Sequence, residues 1–517
     1  MSSKFGNTSS EDARFGGSDI IKIYDGKTIF LTGATGYLGK MILEKLLRTC
    51  YSIKKIYLLV REKKGKEINQ RFEDIFSGPI WETQQKLNPK YRDKVFLVGG
   101  DLVLPNLGLS EESQAILKNE VNIILHCAAT VRFDQLIKTA AYINVRSVKD
   151  LIEIAKDTKH LDVFLYISTA YSHSPRGLIS EQFYKPPMNH EDLLNLVGAL
   201  SDEKLSAITP MLLGEWPNTY TFTKAIAESL IEKEGTTLPM VMCRPAIITG
   251  AVSEPLPGWA DNIYGPNGLF LLCGLGIMRS IYGKKDNNAD MVPSDYVVNS
   301  VIAALAKRCI TKSDEKSQKI SSITPVYNYC SAPEAPISWD SFAFLLWKEG
   351  MKMPSVRSVW KPFYQMRETW IHHTLAILFL HTIPAYLIDF FLRIIGQKPL
   401  AVEAYEKINK LGDVLSYFTL REWEFRNDNI QHLWKELNEE DRKLFPFTME
   451  NFDWNSYSKV FVRGARLYIL KEPVETIPQG LKIMRRFVII HYTLLTVLVM
   501  IALYILTLLV NIIWIYS

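Results

Sequence analysis

At 517 residues the chain is too long for one compact core, and 47% hydrophobic with 22% charged residues is ordinary for a globular protein that also touches lipid. A formal net charge of +5 is small for this length, and no basic stripe with interleaved aromatics occurs, which excludes nucleic acid as a partner. Six scattered cysteines without a Cys-x-x-Cys pair read as incidental thiols of a reducing compartment, not as zinc ligands or disulfides.

Met1 to Asp19 are rich in Ser, Gly and charge and lack the apolar stretch of a signal peptide, so a disordered lead-in is expected over 1–24. Short apolar runs then alternate with longer helical patterns. Strands are expected at Thr28–Leu31, Lys55–Val60, Val95–Val98, Asn122–His126, Val163–Ile167 and Met240–Arg244. Between the first two, Met41, Leu43, Leu46 and Leu47 suit a helix packed on a sheet. This order predicts an α/β fold with a Rossmann-type, doubly wound parallel sheet. Past Lys307 the alternation fades: Ser313 to Ser317 reads as a charged loop, and the chain beyond Ala335 as mostly helical. Thr374 to Ile395 is strongly apolar, yet His381, Pro384, Asp389 and Arg393 interrupt it, predicting an interfacial or buried helical hairpin. Phe487 to Ile515 carries no charge and exceeds the roughly 20 residues that cross a bilayer, so a transmembrane helix is expected there. Lys482, Arg485 and Arg486 precede it, and the positive-inside rule then predicts a tail anchor with the large N-terminal part in the cytosol. The last four residues, Trp514 to Ser517, match neither a peroxisomal nor an endoplasmic-reticulum retention signal.

Two groups of residues carry chemistry. Thr32-Gly33-Ala34-Thr35-Gly36-Tyr37-Leu38-Gly39 follows the first strand and opens a helix. Gly33 suits a tight turn, Gly36 lets the backbone approach a pyrophosphate, and Gly39 allows close helix–sheet contact. The helix N-terminus offers N–H groups and partial positive charge to phosphates. The second strand ends in Arg61, with Lys64 as a further cation; an arginine there accommodates the extra phosphate of NADPH, while Glu62 leaves NADH open. Downstream, Tyr220 and Lys224 lie four apart on one helical face. A phenol with a pKa of about 10 is a poor acid–base at neutral pH. A neighbouring ammonium and the charge of an oxidised nicotinamide would bring it down. Thr169, ending the fifth strand, is placed to bond a substrate carbonyl, with Ser168 as the alternative. His126 reads as a packed histidine, and the small residues after it, Ala128 included, as room for a cofactor to pass.

Together these residues resemble the extended short-chain dehydrogenase/reductases, and within them the fatty acyl-CoA reductases, with insect-type members that carry a hydrophobic tail the nearest in look. The resemblance rests on Tyr37-Leu38-Gly39-Lys40, Tyr57-Leu58-Leu59-Val60-Arg61, Gly100-Asp101-Leu102, Ser168-Thr169-Ala170-Tyr171 and the run Trp216 to Lys224. It continues through Cys243 to Ile247, Ala289 to Pro293, Tyr417 to Phe425, Phe452 to Tyr457 and Gly464 to Tyr468, covering residues 25 to 470. Ser294 stands where the family more usually has valine, a departure expected to be neutral.

The resemblance implies a reductase domain over 25–335 that binds NADPH and substrate, a helical C-terminal domain over 336–475, and the membrane helix at 487–515. It implies that Gly33, Gly36 and Gly39 bind the pyrophosphate, and that Thr32, Thr35, Tyr37, Leu38, Ala128, Tyr220 and Lys224 also contact the cofactor. Arg61 and Lys64 would meet the ribose phosphate, and Asp101 and Leu102 the adenine. Tyr220, Lys224 and Thr169 would be catalytic. The implied reaction reduces a long-chain fatty acyl-CoA to a primary alcohol with two NADPH, through a hemithioacetal and an aldehyde, at the endoplasmic reticulum or peroxisome membrane. No CoA-binding residue is legible, and Arg244 is no more than one basic position available for it. The rival expectations are a membrane-bound steroid or alcohol dehydrogenase, an aldehyde-releasing reductase, and a non-catalytic cofactor-sensing scaffold.

Overall fold

The computed structural model describes residues 16–63, 65–234, 236–261, 263, 265–318 and 323–516. Seven strands form one sheet: β1 (Thr28–Thr32), β2 (Lys55–Val60), β3 (Val95–Gly99), β4 (Ile123–His126), β5 (Val163–Ile167), β6 (Met240–Pro245) and β7 (Val326–Tyr329). Their spatial order is β7-β6-β5-β4-β1-β2-β3, every neighbour parallel. All residues of β1, β5 and β6 are buried, as expected of parallel strands with helices on both faces. The order reverses between β1 and β4, where Thr32 lies opposite His126, and the crevice at such a reversal is where this architecture binds ligands.

Six of these strands are the expected ones. β7 lies where the sequence pattern fades. Two further expectations need correction. Ser313 to Ser317 do not form a loop but continue the helix Ser294–Gln318. Within the expected lead-in, residues 1–15 lie outside the described part, while Asp19–Tyr24 form a helix capped by Ser18. Its Ile20, Ile21 and Tyr24 are buried, and that apolar side outweighs the polar composition around it.

The chain does not divide at one boundary near residue 335. One compact unit comprises residues up to Trp259, Asn288–Ile337 and Glu422–Phe452; the other comprises Ala260–Asn287, Ser338–Arg421 and Asp453–Ser517. The first holds the sheet and two helices central to the site, α1 (Tyr37–Thr49) and α2 (Thr219–Glu234). Phe30, Ile124 and Phe164 of the sheet share one apolar core with Phe222 and Ile226 of α2. In the same unit Glu424–Phe425 pairs with Leu178–Ile179, and Trp423 and Phe425 meet the Tyr171 ring edge-on at 5.2 and 5.5 Å.

The second unit is mainly helical. Phe342 sits among Phe270, Trp454 and Phe461 at centroid distances of 5.3, 5.7 and 5.9 Å. Trp370–Ile394 and Val474–Trp514 are both long and apolar enough to cross a membrane by length and composition. The second runs from the turn Val474–Thr476 into the helix Ile477–Tyr516, whose first turns are docked: a Cβ at Gly480 would fall 2.0 Å from the Pro354 carbonyl, and Trp360 Nε1 donates to His491 Nδ1 at 3.0 Å. Beyond that contact its apolar side chains are exposed.

Candidate active site

The glycine turn is closed to side chains on two sides. Gly33 has φ +84°, and a Cβ there would lie 2.7 Å from Ala128 N. A Cβ at Gly39 would lie 2.2 Å from the Gly33 carbonyl oxygen, so α1 and the turn touch backbone to backbone. Gly36 is the N-cap and brings no side chain to the helix end; it and Thr35 are exposed. Leu38 is buried beneath the turn. This uncapped, accessible helix start is the cradle that a pyrophosphate requires. Tyr37 points elsewhere: its hydroxyl lies 2.9 Å from Trp259 O, 3.1 Å from Thr249 O and 2.7 Å from Ser294 Oγ. Ser294, expected to be neutral, therefore gives Tyr37 a hydrogen bond that valine does not offer. Thr32 Oγ1 accepts from Ala128 N at 3.3 Å and reaches His126 Nδ1 at 2.7 Å, tying the ends of β1 and β4 together. Burial holds His126 down to about 3, and its ring stacks on Tyr166, so this histidine is a neutral packing group.

At the end of β2, Arg61 is half exposed with Nη1 3.4 Å from Asp101 Oδ2. Asp101 also accepts from Val103 N at 3.1 Å, which fixes its loop, and Leu102 packs on the core. Arg71, which the sequence reading missed, donates to the Arg61 carbonyl. Burial first, and then the charge of Arg61, lowers the Arg71 pKa. Arg61 and Arg71 are the guanidiniums at this strand end that could meet a phosphate. Lys64 lies outside the described residues.

The remaining groups gather at the carboxyl ends of β4 and β5. The Thr169 hydroxyl lies near enough to the Tyr220 phenol to favour its ionised form, and the Tyr220 ring lies nearly parallel to Phe133 at 6.0 Å. Ser168 is committed elsewhere, donating to Glu228 Oε1 at 2.5 Å. Lys224 Nζ donates to Ile167 O at 2.6 Å and to Tyr166 OH at 3.2 Å. The expectation that this ammonium would lower the phenol is not met. Burial raises Tyr220 above its ordinary value, with the nearby Thr169 hydroxyl working against the rise; the Lys224 ammonium is engaged by Ile167 O and Tyr166 OH. Burial also brings Lys224 down to about 8.

Two supporting groups were not legible in sequence. Asn144, on the π-turn Tyr142–Arg146, accepts from Thr130 N at 3.0 Å and donates to Thr223 Oγ1 at 2.9 Å, joining the loop after β4 to α2. Glu228 accepts from Arg244 Nε and Nη2 at 3.0 and 2.6 Å and lies 3.1 Å from His173 Nε2. Arg244 is wholly buried and also donates to the carbonyls of Ser180 and Gln182, so it is a structural ion-pair partner and not a candidate for CoA.

Comparison with known proteins agrees with this geometry. An NAD-binding family described as male sterility protein matches residues 31–301, and a second so described matches 380–472. The chain is 38% identical over 481 residues to a Drosophila melanogaster fatty acyl-CoA reductase, covering 93% of this chain and 91% of that one. It belongs to the fatty acyl-CoA reductase family. A rat relative, fatty acyl-CoA reductase 1, is 36% identical over 93% of this chain and 92% of its own length. The reductase domain of a Mycobacterium tuberculosis nonribosomal peptide synthetase shares the fold, with a TM-score of 0.54 at 19% identity, over 87% of this chain and 96% of that one. As a fatty acyl-CoA reductase family member, the chain is an oxidoreductase with a nicotinamide cofactor. The glycine cradle and the Arg61–Arg71 pair are the residues that fit such a group.

Proposed function

We propose that this chain reduces a long-chain fatty acyl-CoA to the primary alcohol with two NADPH, releasing CoA through a hemithioacetal and an aldehyde. The observation that carries the proposal is the gathering of Thr169, Tyr220 and Lys224 beside Ile167, at the carboxyl edge of a sheet whose order reverses at the glycine turn. When bound, the reduced nicotinamide supplies hydride. Thr169 and Tyr220 donate to the thioester oxygen, where negative charge builds as the carbonyl carbon accepts that hydride. A phenol that burial keeps protonated is in the right starting state to give a proton. The hemithioacetal then breaks its C–S bond: its hydroxyl returns the proton to Tyr220, CoA leaves as thiolate, and an aldehyde remains. The same two hydroxyls serve the second reduction, in which the aldehyde gains hydride at carbon and the Tyr220 proton at oxygen. Lys224, with water, returns a proton to the phenol and holds the nicotinamide ribose.

The helix Ile477–Tyr516 is the membrane anchor in this reading, with the sheet-bearing unit on the cytosolic side of an endoplasmic-reticulum or peroxisomal membrane. An acyl chain gains about 0.8 kcal/mol per buried methylene, so it partitions to the same place.

The purified full chain is incubated with NADPH and an acyl-CoA series, and NADPH consumed is measured against free thiol. Two NADPH per thiol is expected. One per thiol indicates an aldehyde-releasing reductase; no thiol indicates a steroid or alcohol dehydrogenase or a non-catalytic protein. Replacing both guanidiniums, Arg61→Ala with Arg71→Ala, raises KM for NADPH by about tenfold or more, given about 1.5–3 kcal/mol for each hydrogen bond to a charged group. KM for NADH stays unchanged. An equal rise with both cofactors removes these arginines from the phosphate site.

A further inference from the structure

The helical run Trp370–Ile394 is inverted relative to a soluble helix. Its buried side is the polar one: His373 Nδ1 lies 2.9 Å from Ser280 Oγ, and His381 accepts from Arg279 N at 3.0 Å. Asp389 accepts from the backbone N–H groups of Leu400, Ala401 and Val402 at 2.9, 2.8 and 3.0 Å, capping the next helix, Ala401–Leu420. Ala376 and Ala385 complete that buried stripe. The π-turn Leu378–Thr382 supplies the extra residue that keeps His381 on the same face as His373 and Ala376. The outer side is apolar: Trp370, Ile371, Phe379, Leu387, Phe391 and Ile394 are all more than half exposed. Water does not favour such an arrangement; lipid does.

The run does not suit a span. It returns through Ala401–Leu420, which carries Glu403, Glu406, Lys407, Lys410 and Asp413. Glu403 and Lys407 pair at 2.6 Å with both side chains 73% exposed. The hairpin closes on one short strand: Gln365–Arg367 pairs with Ser280–Tyr282, and Thr419 Oγ1 donates to Tyr282 O at 2.6 Å. Driving the hairpin across a bilayer would take those charges into hydrocarbon. Arg393 and Lys398, near its tip and exposed, are long enough to reach lipid phosphates. The same unit carries the apolar helix Val474–Trp514, so a bilayer is the surface at hand.

We propose that Trp370–Ile394 lies in the plane of the bilayer as a half-immersed, non-spanning helix, its apolar face in lipid and its polar stripe against protein. This rests on the reading of Ile477–Tyr516 as an anchor. The test uses the full chain in phosphatidylcholine vesicles, with a fluorescent amino acid placed singly at Phe379, Leu387, Phe391, Lys410 or Leu503. Lipid quenchers are carried either near the headgroup or at the acyl terminus, and retained NADPH binding confirms each variant as folded. At an immersion of roughly 5–10 Å, the three labels in the run are quenched from the headgroup region and not from the acyl terminus. The Lys410 label is quenched by neither, and the Leu503 label by the deep quencher. Equal deep quenching at Phe379, Leu387 and Phe391 overturns the proposal in favour of a span. No quenching there while Leu503 responds also overturns it, and shielding of those three labels without lipid assigns the face to a second copy. An unresponsive Leu503 label overturns the anchor reading itself.

Discussion

Tyr220→Phe gives a folded chain that binds NADPH normally and consumes it with acyl-CoA about 10²–10⁴-fold more slowly, the contribution of a positioned general acid. The substitution removes one oxygen, and with it the transferable proton. The Phe133 stacking surface remains. Cofactor affinity by fluorescence titration and kcat by stopped assay separate binding from chemistry. Undiminished kcat in a folded sample rules the phenol out as proton donor. The same assignment fixes the sign of the pH profile. Lys224, brought to about 8 by burial, is the ammonium that resupplies the phenol below that pH and loses the capacity above it. Turnover therefore falls as pH rises through about 8. A profile still flat one unit higher places the proton supply elsewhere.

Glu228→Ala destabilises the sheet-bearing unit by about 3–5 kcal/mol, a large share of the about 5–15 kcal/mol that holds a domain together. Burial alone would raise this carboxyl, but Arg244 and His173 hold it well below the ordinary range, so it is ionised at neutral pH. Removing it leaves the Arg244 guanidinium without a counter-charge in the interior and frees Ser168. Urea denaturation followed by tryptophan fluorescence reads the loss. Glu228→Leu with Arg244→Met recovers most of it, because an apolar pair of similar volume replaces the ions without an orphaned charge. A single-variant loss below about 1 kcal/mol contradicts the burial argument.

The strands were legible because a parallel strand covered on both faces is written as an unbroken apolar run, as in Thr28–Thr32 and Val163–Ile167. β7 was not, because Val326-Tyr327-Asn328-Tyr329 places a polar residue in its middle. The Asn328 side-chain nitrogen donates to Ile179 O and Arg426 O, partners far away in sequence. The same reason hid Asn144 and Glu228, whose meaning lies in whom they meet. The glycine turn and Tyr220–Lys224 were legible because a local turn and a helical repeat fix them. The direction of the phenol's pKa was not, since it depends on how deeply the folded chain buries it. Trp423 and Phe425 stood out as motif residues, yet only the pairing of their strand with Leu178–Ile179 sets them against Tyr171, two residues beyond Thr169.

That pairing has a consequence for biosynthesis. Translation is vectorial, and the nucleotide-binding unit draws its last piece from Glu422–Phe452. Asp441, which accepts from Ser18 Oγ at 2.5 Å, is therefore made after almost everything that separates them in the polypeptide. Trp423 and Phe425, the aromatic cover of Tyr171, are likewise made long after the sheet strand that precedes Tyr171. The apolar stretch Val474–Trp514, long enough to cross a membrane, follows soon after in the chain.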